Sequence, residues 1–301
     1  MKALEKSNLN YKLNKHKKYI EKELYKTLSQ VSAPKVLKEV MLYSVLNGGK
    51  RIRPFILSEI CSLYKVKPSI YKYPAIAIEM AHSFSLIYDD LPCMDDDKLR
   101  RGKPSVHIAF NEANALLGAS SLLTLAYQTL VSKNFLFNDN KKLKLIDNFS
   151  KAIGNEGMLA GQFLDLEAES RTFKLTSQKL HNIQKKKTGL LIAYCCYAGG
   201  YLGSATNKEL LILNEFGLLL GSMFQIKDDI LDIEGTQINL GKKVNKDQSQ
   251  NKATIIKIKG LELAKKELFK ISTKAKSSLK KIKKNTSMLS ELIDYICSRI
   301  S

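Results

Sequence analysis

The sequence has few of the features that mark secreted, membrane-spanning or multi-domain chains. Its five cysteines are odd in number and lack the paired spacing of a zinc site. No stretch reaches the roughly 18 consecutive apolar residues of a membrane span, and no N-terminal apolar run precedes a small-residue cleavage site. The 301 residues include only six prolines, and no linker rich in Pro, Gly and Ser divides the chain. These absences predict a cytoplasmic protein with a single domain over residues 1–301.

Acidic residues are also scarce. The chain has 49 lysines and arginines against 29 aspartates and glutamates, a net charge of +20, which raises nucleic acid, anionic membranes and phosphorylated substrates as partners. Much of the excess lies between Lys242 and Lys284, where 15 lysines accompany three acids, a net +12. Phe269 is the one aromatic residue in that segment that could stack on a base. We therefore expect a solvated lysine-rich surface and no nucleic-acid partner.

Helical periodicity dominates the chain, and strand-like alternation is hard to find. Ser32 and Pro34 suit the start of a helix, and Gly48 suits its end. Helices that are apolar on nearly every side are buried inside a bundle. Four apolar runs of this general kind span residues 74–88, 109–131, 180–202 and 210–233. The sequence predicts an all-α bundle of roughly ten or more helices.

Clustered carboxylates interrupt this apolar pattern at two places. The later cluster, DDILD, places Asp228 and Asp232 four residues apart, on one face of a helix. Two carboxylates in that position repel each other unless a cation lies between them, and an apolar run makes an unneutralised carboxylate costly. Mg²⁺ prefers one or two carboxylates and completes its shell with phosphate oxygens and water. The cluster therefore indicates a Mg²⁺ site rather than a chance feature of an exposed helix.

The earlier cluster, DDLPCMDDD, needs an irregular backbone to bind an ion. Asp89 and Asp95 are six residues apart, which places them about 120° from each other around an ideal helix. Pro92 lacks an N–H and disfavours helical geometry at Leu91. We therefore expect the helix to end or bulge at this point, so that Asp95 turns back toward Asp89.

Basic residues accompany these carboxylates. Arg100 and Arg101 carry planar guanidinium groups that match phosphate oxygens. Lys50 and Arg53 belong to another basic segment, GGKRIRP, whose glycines allow close backbone approach to an anion. By itself GGKRIRP would be an ordinary turn. Carboxylates, Mg²⁺ and arginines together indicate a diphosphate site.

These motifs resemble those of the short-chain trans-prenyl diphosphate synthases, and most closely those of the bacterial farnesyl diphosphate synthases. The matching segments run in order from residue 48 to 299 and are GGKRIRP, HSFSLIYDDLPCMDDDKLRRGKPSVH, GMLAGQFLDLEAE, KKTGLL, FQIKDDILD, LGKK and DYICSR. The resemblance implies an all-α homodimer of isoprenoid synthase type, with both aspartate motifs facing a deep cavity. It implies condensation of isopentenyl diphosphate with dimethylallyl or geranyl diphosphate. A geranylgeranyl or longer-chain synthase is the alternative.

The resemblance also assigns a role to each motif residue. The implied ligands of three Mg²⁺ ions, or supports of those ligands, are Asp89, Asp90, Asp95, Asp228, Asp229 and Asp232. The implied contacts of the allylic diphosphate are Arg100, Lys187, Lys242 and Lys252. Those of isopentenyl diphosphate are Lys50, Arg53, His82 and Arg101. Thr188 and Gln225 would line the path of the allylic cation, and with Lys187 they make up the implied catalytic residues.

Several of these residues also have ordinary structural interpretations. His82 could be a core histidine, although it lies seven residues before Asp89 and so shares its helix face. Lys187 and Thr188 could cap the start of a helix. Phe84 lies five residues before Asp89, ~7.5 Å along a helix. The resemblance implies that Phe84, with the neighbouring Ser85 and the Pro-Cys insertion, limits the product to fifteen carbons, and the alternative is a core phenylalanine.

Two other families fit less well, and the chain departs from the resembled family in one loop. A terpene cyclase carries an Asn/Ser/Glu triad in place of the second aspartate motif. A catalytically silent subunit of a prenyl synthase normally lacks aspartates or arginines that this chain retains. After DDILD, however, Asn245 and Asn251 replace the usual glycines, and Ile255 replaces a common aromatic residue. These changes put the closure of that loop in doubt.

Overall fold

The computed structural model describes residues 2–169, 175–234 and 254–299, and almost all of its regular structure is helical. The all-α prediction is therefore confirmed. The chain divides into two compact units, Met1–Asp147 and Asn148–Ser301. The expectation of a single domain over residues 1–301 stays a prediction.

The first unit is organised around one buried helix. Its helices are α1 (Lys2–Ser29), α2 (Lys35–Leu46), α3 (Ile52–Leu63), α4 (Pro68–Asp89), α5 (Val106–Phe110), α6 (Glu112–Leu130) and the first part of α7 (Asp139–Ile153). The boundary between the two units falls within α7. Helix α4 packs against α1, α2, α3 and α6. Residues 74–81 are all buried, as expected for a helix that is apolar on every side. Helix α2 follows Pro34 and ends just before Gly48, in agreement with the sequence signals.

A short hairpin follows α4 in the chain. Strands β1 (Leu99–Arg100) and β2 (Lys103–Pro104) pair antiparallel. The two residues between them, Arg101 and Gly102, have φ values of 55° and 77°. Positive φ at both central residues is typical of a tight two-residue hairpin turn. Strands of two residues are too short to show alternation, so the sequence did not predict this hairpin.

The second unit is organised around α11. Its remaining helices are α8 (Met158–Ala168), α9 (Ser177–Gln184), α10 (Leu190–Leu202), α11 (Asn207–Glu234), α12 (Ile255–Lys259), α13 (Leu261–Lys280) and α14 (Ser287–Ser298). Helix α11 packs against α10, α13 and α14. Among the described residues it is also the one helix long and apolar enough to cross a membrane. That is weak evidence for a span, because core helices of soluble proteins meet the same criterion.

The described part of the lysine-rich segment forms an amphipathic helix. In α13, Ala264, Leu268 and Leu279 are buried, whereas the lysines lie on the outer surface. Phe269 is also exposed. The expectation of a solvated lysine surface without a nucleic-acid partner stays a prediction.

Two of the predicted apolar helices are interrupted. The run 109–131 breaks at Asn111, where φ is 78° and the side chain accepts the N–H of Asn114 at 2.9 Å, so that α6 begins with a new cap. In the run 180–202, a π-helical turn at Lys185–Gly189 separates α9 from α10. Hydrophobic periodicity does not reveal such local changes of the backbone. Turns of the π type are frequent at functional sites.

Helix α11 comes very close to this π-helical turn. A Cβ on Gly221 would lie 2.5 Å from the Cα of Gly189, a distance that no side chain tolerates. A Cβ on Gly189 would instead meet its nearest neighbour, the Leu218 side chain, at 3.6 Å, which is ordinary contact. The missing side chain of Gly221 therefore lets the turn pack directly on α11.

This asymmetry generates a prediction about stability. Gly221→Ala should lower the free energy of unfolding by about 1–3 kcal/mol, because the added methyl group must push α11 away from the turn. Gly189→Ala adds the same methyl group to the facing glycine and should have a much smaller effect. Chemical denaturation of both variants measures the difference. Equal midpoints for the two would contradict the close backbone packing.

Candidate functional site

The earlier aspartate motif lies where α4 ends. The helix stops at Asp89, and the N–H of Asp95 then donates to the carbonyl of Asp89 at 2.9 Å. The N–H of Asp96 donates to the carbonyl of Leu91 at 3.1 Å. The chain therefore turns back on itself around Pro92, as the sequence predicted. Asp89 and Asp95, six residues apart in sequence, become neighbours, and both are half-buried.

Asp90 and Arg100 form a buried pair beside this turn. The Asp90 carboxylate is 2% exposed and accepts the Nε–H of Arg100 at 2.9 Å as well as an Nη2–H. The same Nη2 lies 3.3 Å from Asp97. A carboxylate that accepts from two donors of one guanidinium fixes its orientation. The structure thus favours the supporting role for Asp90, with Arg100 as the group that it holds in place.

The hairpin places Arg101 on the GGKRIRP segment. Its Nη1–H donates to the carbonyl of Gly48, and its guanidinium lies over Gly49. A Cβ on Gly49 would be 2.7 Å from the guanidinium carbon, and Gly49 has φ of 112°, so that only glycine suits this position. Lys50, the next residue, is exposed.

Arg53 and His82 complete this basic corner. Nη1 of Arg53 lies 3.1 Å from Nε2 of His82. Because a guanidinium can only donate, Nε2 accepts and carries no proton. Burial, and then the positive charges of Arg53 and Arg101 among the nearby arginines, hold the pKa of His82 well below its ordinary value. All four residues predicted to bind isopentenyl diphosphate therefore lie at one corner of the first unit.

The segment also contains a residue that sequence reasoning passed over. Arg51 precedes α3, has a left-handed φ of 53°, and directs a completely buried side chain toward Glu79 and Glu21. Three bases within four residues give no sign of which one points inward. The left-handed backbone of Arg51, just before α3, sets it apart from Lys50 and Arg53.

The later motif, DDILD, lies at the end of α11 in the second unit. Asp228 is exposed, Asp229 is buried and Asp232 is half-buried. Oδ1 of Asp228 lies 2.5 Å from Nη2 of Arg299, which also donates to the carbonyl of Phe224 at 3.2 Å. Asp228 therefore already faces a cation of the protein itself.

The buried carboxylate of Asp229 has a different task. Its Oδ2 accepts the N–H of Ile255, the first residue of α12, at 2.8 Å. Thr254 caps the same helix by accepting the N–H of Lys257 at 3.3 Å. Asp229 thus anchors the start of α12, which favours the supporting role for this aspartate.

The π-helical turn presents the predicted catalytic residues of the second unit. Lys187 is half-buried, and its Nζ lies 2.6 Å from Oδ2 of Asp165 on α8. Thr188 is buried within the turn, and Gln225 is half-buried on α11. Lys187 and Thr188 lie between two helices in a single irregular turn, so the helix-cap interpretation does not describe them. Asp165 gains a specific role as the partner of Lys187.

The proposed length-determining residues lie one turn before the earlier motif. Phe84 is 4% exposed, and its ring centroid lies 4.8 Å from that of Tyr88. Ser85 is half-buried and donates to the carbonyl of His82 at 2.9 Å. Lys242 and Lys252 lie outside the described residues, as do Asn245 and Asn251.

The carboxylates in the described part of the chain do not form a complete metal site by themselves. Within the described ranges, no group of three or more His, Cys, Asp or Glu side chains is arranged to hold an ion. Mg²⁺ commonly binds through one or two carboxylates and takes its other oxygens from phosphates and water. Neighbouring Asp89 and Asp95 match that donor chemistry, and a diphosphate would have to complete the shell.

Comparison with known proteins gives a consistent result over nearly the whole chain. The family model described as Polyprenyl synthetase matches residues 34–294. A farnesyl diphosphate synthase of Geobacillus stearothermophilus is 40% identical over 290 residues, 96% of each chain. An FPP/GFPP synthase structure from Zymomonas mobilis has a TM-score of 0.87 at 31% identity, covering 97% of this chain and 99% of that one. A Helicobacter pylori geranyltransferase, complexed with magnesium and isoprenyl diphosphate, has a TM-score of 0.80 at 29% identity and covers 96% of both.

The depressed pKa of His82 predicts a pH dependence of stability. The unfolded chain binds a proton at this histidine below a pH of about 6.5, whereas the folded protein resists it, so stability should fall as the pH drops below that value. His82→Gln should lose less stability than the wild type between pH 7 and pH 5, as measured by denaturation at each pH. The exposed His181, changed to Gln, is the matched control. If both variants kept the wild-type pH dependence, the assignment of a buried neutral His82 would be wrong.

Proposed function

The chain belongs to the polyprenyl synthetase family, and we propose that this prenyltransferase joins isopentenyl diphosphate to dimethylallyl or geranyl diphosphate to make farnesyl diphosphate. The observation that carries this proposal is the basic corner of Arg53, His82 and Arg101 around the glycine segment. This corner offers several hydrogen-bond donors to a single diphosphate. His82 is neutral, so it needs no carboxylate partner to balance a positive charge. We propose that Lys50, Arg53, His82 and Arg101 bind isopentenyl diphosphate.

The allylic diphosphate binds to the other set of residues. Its ligands in this proposal are Arg100, Lys187, Lys242 and Lys252, with three Mg²⁺ ions held by Asp89, Asp95, Asp228 and Asp232. Bound Mg²⁺ supplies Lewis-acid stabilisation of the departing diphosphate. Asp90 and Asp229 contribute through the groups that they hold, Arg100 and the backbone of Ile255.

The protein's own residues supply the rest of the chemistry. Arg100 and Lys187 stabilise the negative charge that collects on the diphosphate as its bond to C1 breaks. Thr188 and Gln225 present oxygen dipoles to the allylic cation, and they are too weakly nucleophilic to trap it. The double bond of isopentenyl diphosphate then attacks C1, and the released proton passes to the departing diphosphate. No covalent enzyme intermediate is required.

The assembly and location of the protein are part of the same proposal. Helix α6 exposes Leu116 and Leu117, which are 41% and 60% accessible in the isolated chain. Large apolar side chains of this kind favour burial against another chain. We propose that they lie in the interface of a cytoplasmic homodimer.

A product assay tests the function. The purified protein, Mg²⁺, isopentenyl diphosphate and radiolabelled geranyl diphosphate should give a fifteen-carbon prenyl diphosphate, and removal of Mg²⁺ with EDTA should abolish the product. Chromatography of the dephosphorylated alcohols measures chain length. A dominant twenty-carbon product would establish the geranylgeranyl alternative, whereas no prenyl product would overturn the proposal.

Product length should depend on Phe84. Phe84→Ala shortens a buried side chain one turn before the aspartates, so the growing chain should extend further and the product should shift toward twenty carbons. Phe55→Ala removes an equally buried phenyl ring from α3 and controls for lost core volume. The alcohols released from both variants are sized by the same chromatography. A fifteen-carbon product from Phe84→Ala would leave Phe84 as a core residue only.

A further inference from the structure

Arg51 has the most completely enclosed charged side chain in the described basic corner. Its guanidinium has no exposed surface. Nη1 lies 2.6 Å from Oε1 of Glu79 on α4, while Nε and Nη2 lie 3.2 and 3.1 Å from Oε1 of Glu21 on α1. Nη2 also donates to the carbonyl of Val45 on α2 at 2.6 Å. One side chain therefore joins α1, the end of α2 and the middle of α4.

These contacts adjoin the residues that are proposed to bind isopentenyl diphosphate. Arg51 lies between Lys50 and Arg53 in sequence, and Glu79 is one helical turn before His82 on α4. Since the inward guanidinium of Arg51 is fully engaged with protein oxygens, it has no surface to offer a substrate. Its left-handed backbone sends this one base inward, and the bases on either side are free of that constraint.

We propose that Arg51 is a positioning residue for isopentenyl diphosphate. Its ion pairs with Glu79 and Glu21 hold the glycine segment against α4, so that Lys50 and Arg53 are oriented toward one diphosphate before it binds. This inference rests on the proposed function. A guanidinium can span three acceptors in different directions, whereas the single ammonium of a lysine cannot.

The test uses Arg51→Lys in the full-length enzyme. We expect the KM for isopentenyl diphosphate to rise about tenfold, with kcat and the KM for geranyl diphosphate changed less than about twofold, because the loosened segment binds only one substrate. Calorimetric titration with isopentenyl diphosphate alone, where no turnover occurs, should show the same loss of affinity. Glu21→Gln weakens one of the two ion pairs and should give a smaller change in the same direction.

Lys72→Met is the matched control. Lys72 on α4 pairs with Glu23 on α1 at 3.1 Å, so its loss removes a half-buried ion pair between the same two helices without touching the glycine segment. It should lower the unfolding temperature and leave both KM values unchanged. A merely structural role of Arg51 would reduce the folded fraction, and so the apparent kcat, without moving KM.

The outcomes separate the inference from the function on which it rests. If the wild type neither binds isopentenyl diphosphate nor forms prenyl products, the proposed function fails and the inference fails with it. If the wild type does both and Arg51→Lys matches Lys72→Met in affinity, the positioning role alone is overturned. A selective loss of isopentenyl diphosphate affinity supports it.

Discussion

The buried ion pair between Arg51 and Glu79 is the interaction on which the basic corner depends. A charge removed from water is tolerated only when well-placed partners surround it, and breaking such a pair leaves the remaining charge uncompensated. Glu79 lies in the fully buried stretch 74–81 of α4, where no solvent could replace the guanidinium. The position of the glycine segment is therefore tied to the core of the first unit. Lys50 and Arg53, which belong to that segment, are held in place with it.

The same principle recurs at three other ion pairs of the proposed site. Asp90 holds Arg100, Asp165 holds Lys187, and Arg299 lies against Asp228. Each pair reduces the cost of holding a charged group partly out of water before any substrate arrives. The Asp228 pair differs from the others, because its partner is a cation where the proposal places Mg²⁺. In that proposal, an ion bound by Asp228 would have to displace Arg299.

Sequence reasoning succeeded where local chemistry alone decides the conformation. The missing N–H of Pro92 was enough to predict that α4 ends near it and that Asp95 returns to Asp89, and the all-round apolar pattern was enough to bury α4. It failed where tertiary contacts choose among equivalent local states. Nothing in GGKRIRP distinguishes the inward Arg51 from its neighbours until Glu79 and Glu21 are in place. The π-helical turn was equally hidden, as was its close contact with α11 at Gly221.

The two aspartate motifs reach a common arrangement by different routes. In DDILD a regular helix sends Asp228 outward and Asp229 inward, so adjacent residues divide the tasks of facing a cation and of holding the backbone of Ile255. In the earlier motif Asp89 is half-buried at the end of α4 and Asp90 is buried against Arg100, so adjacent aspartates again differ in burial. Adjacent residues on a helix point about 100° apart, so one aspartate cannot perform both tasks. A pair of adjacent aspartates therefore lets one carboxylate anchor the structure while the other points in a different direction, as the proposed Mg²⁺ site requires.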